Sequence, residues 1–135
     1  MEWTLEVIVV PVSDVDRAKA FYADRLGFTL DHDVTPAEGV RIVQLTPPGS
    51  GCSVVFGRGA VPDMPPGSLK GLQLVVNDLP KAHTMLTERG VEVSEIQVHG
   101  MGDWDGEADL DNVGFVRFAD PDGNSWAVQQ ISSRR

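Results

Sequence analysis

Cysteine is almost missing from this chain: Cys52 is the only one in 135 residues. A single thiol excludes an intrachain disulfide framework and every zinc site built on several cysteines. Bases are scarce as well. Eleven lysines and arginines face twenty aspartates and glutamates, a formal charge of −9. Phosphate backbones and anionic lipid surfaces would repel such a protein, which argues against nucleic acid and membrane partners. No apolar run approaches the roughly 20 residues that span a bilayer. The opening Met1-Glu2-Trp3-Thr4 lacks the basic start and apolar stretch of a signal peptide. A soluble cytoplasmic protein is the expectation. The length suits one domain of the common ~100–150-residue size, and a 41% hydrophobic content supplies a core without a disulfide or metal staple.

What is present repeats. Leu5 to Val12 is rich in β-branched residues and reads as a mostly buried strand. Ser13 followed by Asp16 suits a helix start, the serine oxygen accepting an orphan N–H. Val15, Ala18, Tyr22 and Leu26, with Phe21 beside them, form an apolar stripe at helical spacing, and Gly27 stops it. Strands are expected at Phe28–Val34, Val40–Thr46 and Ser53–Phe56. After a proline-punctuated connector the order returns: a strand at Lys70–Val76, a helix capped by Asn77 or Asp78 with Pro80 in its first turn, and the stripe Leu79, Ala82, Leu86. Val91–Val98, Val113–Ala119 and Ser125–Ile131 supply three more strands, the last two joined by the turn Asp120-Pro121-Asp122-Gly123. Sliding Asp14 onto Asp78 also superposes Val12 on Val76, Ala18 on Ala82 and Arg25 on Arg89.

The expected fold is therefore α+β: two βαβββ modules, one about 1–57 and one about 70–135, joined by a connector over 58–69. The mixed sheets are expected to form a curved cup or half-barrel with the helices on the outer face, within one chain or between two.

Particular residues carry a family resemblance. Val12-Ser13-Asp14, Arg17-Ala18, Phe21-Tyr22 and Leu26-Gly27-Phe28 resemble the first-module signature of the vicinal oxygen chelate superfamily. Asp120-Pro121-Asp122-Gly123-Asn124 followed by Trp126 resembles its last hairpin. That group includes glyoxalase I, extradiol dioxygenases, fosfomycin-modifying enzymes and bleomycin-binding resistance proteins. The resemblance spans nearly the whole chain and implies a single glyoxalase/bleomycin-resistance-like domain over 1–135. Members often dimerise, so a homodimer is expected. These positions cap helices, fill cores and make turns, so they specify a fold and leave the activity to the site.

The superfamily's metalloenzymes hold a divalent ion in the cup with His, Glu or Gln. Carried over by position, the resemblance puts those ligands at Val7, Gly71, Ala127 and Gln44, of which only Gln44 offers an oxygen. The usual metal centre is expected to be absent and no cofactor is expected. Relocated ligands are the alternative. Glu6 should point away from Val7's direction, whereas Gln73 stays on Gly71's face. His83 reads as a solvated helix residue, and His32 and His99 as surface residues near strand ends.

Strand alternation gives the candidate ligand-binding residues: Val7, Val9, Gln44, Gln73, Arg117, Ala127 and Gln129, beside Gly71. Arg117 should face opposite to Val116 and Phe118, either to bind a carboxylate or other anion or to pair with a structural acid. Trp104 stands in an acidic run, Asp103 to Asp111. It either closes over the cup to meet a cationic aromatic ligand or belongs to a solvated loop. Trp3 and Trp126 read as structural, one beside the first strand and the other against a helix. Cys52 reads as a small filler, with no activating base in view. Two functions remain open: a small-molecule-binding protein without the metal centre, or a glyoxalase-like lyase/isomerase or dioxygenase using relocated ligands or metal-free acid–base chemistry. No catalytic residue is assigned.

Overall fold

The β-branched opening run becomes a strand only where it gains a partner. β1 (Val7–Val9) lies parallel to β4 (Ser53–Arg58), with Val9 opposite Val55. β3 (Val40–Thr46) is antiparallel to β4, and β2 (Thr29–Ala37) is antiparallel to β3, giving the order β1-β4-β3-β2. The computed structural model describes residues 1–134. Its chain divides into two units: Met1–Leu69 with the turn Asp120–Asn124, and Lys70–Ala119 with the chain from Ser125 onward.

In the first unit α1 (Val15–Ala20) starts at Asp14 rather than Ser13. Asp14 has the extended backbone of a cap, and its carboxylate accepts the Arg17 N–H at 3.0 Å. The Ser13 hydroxyl is engaged elsewhere, donating to Asp122 at 2.6 Å. Beyond Ala20 the helix widens into a π turn over Phe21–Arg25, with the Leu26 N–H reaching back to the Phe21 carbonyl. Phe21 and Tyr22, neighbours in sequence, are both buried there. The Tyr22 ring lies 5.8 Å from those of Phe28 and Phe56, which seats the helix on the face carrying Val43, Leu45, Val54 and Phe56. On the same side Asp33 accepts hydrogen bonds from Arg41 at 3.0 Å and Lys19 at 2.7 Å. The Arg41 guanidinium, then Lys19, holds this carboxyl far below the usual carboxylate range.

The second unit repeats the plan. β5 (Leu72–Val76) runs parallel to β9 (Ser125–Gln130), and β8 (Gly114–Ala119) is antiparallel to β9. β6 (Gln97–Val98) and β7 (Gly102–Asp103) complete the order β5-β9-β8-β6-β7. α2 (Leu79–Glu88) is capped by Asp78 and buries Leu79, Ala82 and Leu86. Trp126 is buried and stacks on Phe118 at 6.1 Å, on the helix side. The expected α+β architecture of two modules with mixed sheets is thus observed.

Two further expectations fail. The strand over Val91–Val98 shrinks to Gln97–Val98, because the buried residues Val91, Ile96 and Val98 do not keep a period of two. The Ser94 hydroxyl also accepts the Arg117 N–H in place of a ladder bond. Trp3, expected to have a structural role beside the first strand, is 88% exposed, since pairing begins only at Val7.

Candidate functional site

Register decides which side chains share a face. In the first unit one row crosses the sheet through Val9, Val55, Gln44 and His32. Val7 and Ser53 flank it on the same side. This side is opposite to the one that packs α1. Val7 and Val9 are half-buried and Val55 is buried, so an aliphatic strip lies beside the Gln44 amide. Among the described residues no side-chain hydrogen bond occupies Gln44.

In the second unit Gln73, Ala127 and Arg117 form one row, and Val75, Gln129, Phe115 and Gln97 the next, again opposite to the helix. The Gln73 amide donates to Gln129 at 2.5 Å, and Gln129 donates to the Asn112 carbonyl at 2.8 Å. This chain fixes the amides in orientation. The Arg117 guanidinium carbon sits over the Phe115 ring at 5.5 Å. The His99 ring lies 6.3 Å from the same ring. Together with Gln97, Val98, Gly100 and Gly102 they line a depression of about 230 Å³.

Each sheet thus gathers its expected candidates onto one face: Val7, Val9 and Gln44 in one unit, and Gln73, Ala127, Gln129 and Arg117 in the other. Trp104 lies outside these rows, in the loop that follows β7. Its backbone N–H donates to Ile96 at 2.8 Å and its indole N–H to Ala108 at 2.9 Å, so the ring belongs to its own loop. The acids around it serve that loop. Asp105 accepts the N–H groups of Ala108 and Glu107, which hold its carboxyl below the usual range. Asp111 accepts from the hydroxyl and N–H of Ser132 and from Gln130, with the same effect. Phe115, Gln97 and Val55 escaped the sequence reading. Phe115 and Val55 were recoverable from the same alternation that placed Arg117 and Gln44; Gln97 was not, because its strand is only two residues long.

The donor set does not fit a divalent ion. At the four positions that the resemblance assigns to metal ligands stand an isopropyl group, a hydrogen, a methyl group and the single amide of Gln44. A catalytic zinc ion takes three protein ligands, and even a magnesium ion, which takes fewer, is bound through carboxylates. His32 joins Gln44 in its row, yet among the described residues no three His, Cys, Asp or Glu side chains come together. The Cys52 thiol is half-buried and directed at the Ser53 carbonyl.

Comparison with known proteins agrees with the fold. The profile described as Glyoxalase/Bleomycin resistance protein/Dioxygenase superfamily matches residues 4–128. TnmS3, an antibiotic binding protein from Streptomyces sp. CB03234, is 35% identical over 97% of this chain and 98% of its own, with a TM-score of 0.74. A glyoxalase/bleomycin resistance protein from the same organism is also 35% identical, over 94% of this chain and 100% of its own, with a TM-score of 0.71. A superfamily member from Sphaerobacter thermophilus DSM 20745 shows 27% identity over 96% and 98% of the two chains, with a TM-score of 0.75. No curated protein matches the chain. No helix among the described residues is long and apolar enough to cross a membrane.

Proposed function

We propose that this chain, which belongs to the glyoxalase/bleomycin resistance protein/dioxygenase superfamily, is a small-molecule-binding protein that sequesters its ligand without a metal ion. One observation carries the reading: the positions at which the superfamily's metalloenzymes place metal ligands hold Val7, Gly71 and Ala127, while the fold around them is kept. Aliphatic strips with a few oriented amides suit a ligand that is largely apolar and carries a few hydrogen-bonding groups. Each 100 Å² of its apolar surface removed from water contributes about 2.5 kcal/mol. On each unit's face the amides, Gln44 in one and the Gln73–Gln129 pair in the other, select among ligands of similar bulk, because an unmatched buried amide costs about 1–3 kcal/mol. The 35% identity to an antibiotic-binding protein supports an antibiotic as the ligand class.

The test is thermal unfolding of the purified chain against basic glycopeptide antibiotics, planar aromatic antibiotics and aromatic metabolites. A cognate ligand at a hundredfold excess over its Kd stabilises the fold by about 2.7 kcal/mol. For a domain of this size that raises Tm by about 10 °C. A flat response across the whole panel contradicts the proposal. A homodimer belongs to the same reading, supported by the exposed apolar side chains of Met1, Trp3 and Leu5 ahead of the edge strand β1. Light scattering showing a monomer at micromolar concentration would remove that part.

A further inference from the structure

We infer that the depression around Arg117 is a subsite for an anionic aromatic group, an aryl carboxylate. This deepens the small-molecule reading above and rests on it.

The chain carries a large excess of acids, and its described ion pairs match Arg17 with Asp122, Lys19 with Asp33, and Arg41 with Asp16 and Asp33. Arg117 has no carboxylate partner among the described residues. Asp103, at the end of the neighbouring row, already faces Gln97 at 3.4 Å. The folded second unit therefore leaves a guanidinium unneutralised on an open sheet face, in a protein with carboxylates to spare. Its position is nonetheless fixed. The backbone of Arg117 is tied to Ser94 through both N–H and carbonyl, and its guanidinium carbon rests over Phe115. A cation held over a ring by the ring's quadrupole keeps its in-plane N–H donors, and that fork matches a carboxylate with two parallel hydrogen bonds.

The rest of the depression suits the ring that bears the acid. Phe115 and His99 offer two aromatic surfaces tilted at 59°. The 230 Å³ volume equals roughly seven or eight waters at ~30 Å³ each, the size of a ring system rather than a lone ion. Gly100 and Gly102, with φ of 80° and 81°, leave one side of the rim as bare backbone, and a Cβ on either would meet nothing within 4 Å. A flat group can enter there without displacing a side chain.

Titration of the full chain with 1-naphthoate and its neutral isostere 1-naphthamide, followed by calorimetry and by backbone amide shifts, tests the assignment. The carboxylate is expected to bind at least tenfold more tightly than the amide, with shifts concentrated at 97–102 and 115–117. Arg117→Gln should abolish that preference and leave Tm unchanged. Arg117→Lys, which keeps the charge and loses the fork, should fall between. Equal affinity for both probes, shifts mapping elsewhere, or an undiminished preference in Arg117→Gln overturns the inference. Binding of neutral aromatics alone would remove the anion subsite and leave the small-molecule reading standing. Failure of every aromatic compound, charged or neutral, removes both.

Discussion

Asp120→Ala is expected to lower the unfolding free energy by about 3–5 kcal/mol, measured by urea denaturation. The side chain of Asp120 accepts four hydrogen bonds: from the Tyr22 hydroxyl at 2.7 Å, the N–H groups of Asp122 and Asn124 at 3.0 and 2.9 Å, and the Asn124 amide at 2.8 Å. Asn124 is fully buried and extends the network to the Pro11 carbonyl and the Leu69 N–H. Removing the carboxylate strands several buried donors at once, each costing about 1–3 kcal/mol when left unpaired. Since a domain holds only about 5–15 kcal/mol in total, the variant should lose a large share of its stability. Tyr22→Phe leaves three of the four bonds and should lose about 1 kcal/mol. A loss below 1 kcal/mol in Asp120→Ala would show that water replaces the network at little cost.

Gly67→Ala comes next, at about 3 kcal/mol. Gly67 has φ of 77°, and an added Cβ would lie 2.0 Å from the Asp122 carbonyl oxygen. Left-handed backbone costs a non-glycine residue about 1–2 kcal/mol, and the carbonyl must also move. That carbonyl belongs to the turn that Asp120 organises. The two substitutions should therefore be non-additive by more than about 0.5 kcal/mol in a double-mutant cycle. Gly123→Ala is the control. Its φ is 97°, but an added Cβ would meet nothing within 4 Å, so only the backbone strain applies. Equal losses for Gly67→Ala and Gly123→Ala would contradict the steric account.

These two sites mark the limit of what the sequence discloses. The Asp120-Pro121-Asp122-Gly123 turn was legible from residue types, because its chemistry is local. That Asn124 is buried and reaches Pro11 was not legible, since that partner is 113 residues away. Strand alternation placed Arg117 opposite Val116 and Phe118 correctly, and the register carries Gln73 and Ala127 to the same face. It failed over 91–98, where burial follows side-chain bonds rather than pleat. The first cap shows the same boundary at short range. Ser13 and Asp14 are both good caps by type, and the choice fell to Asp14 because Ser13 is held by Asp122 from far along the chain.

In the proposed function the ligand is held by apolar surface and hydrogen-bonding side chains rather than by a chelated ion. Calorimetry with the most stabilising compound of the antibiotic panel tests this directly, using protein stripped with EDTA and then resupplied with Ni²⁺, Zn²⁺, Mn²⁺ or Fe²⁺. The predicted result is one Kd, within twofold, under all conditions. Binding that vanishes on stripping and returns with a stoichiometric metal ion would contradict it.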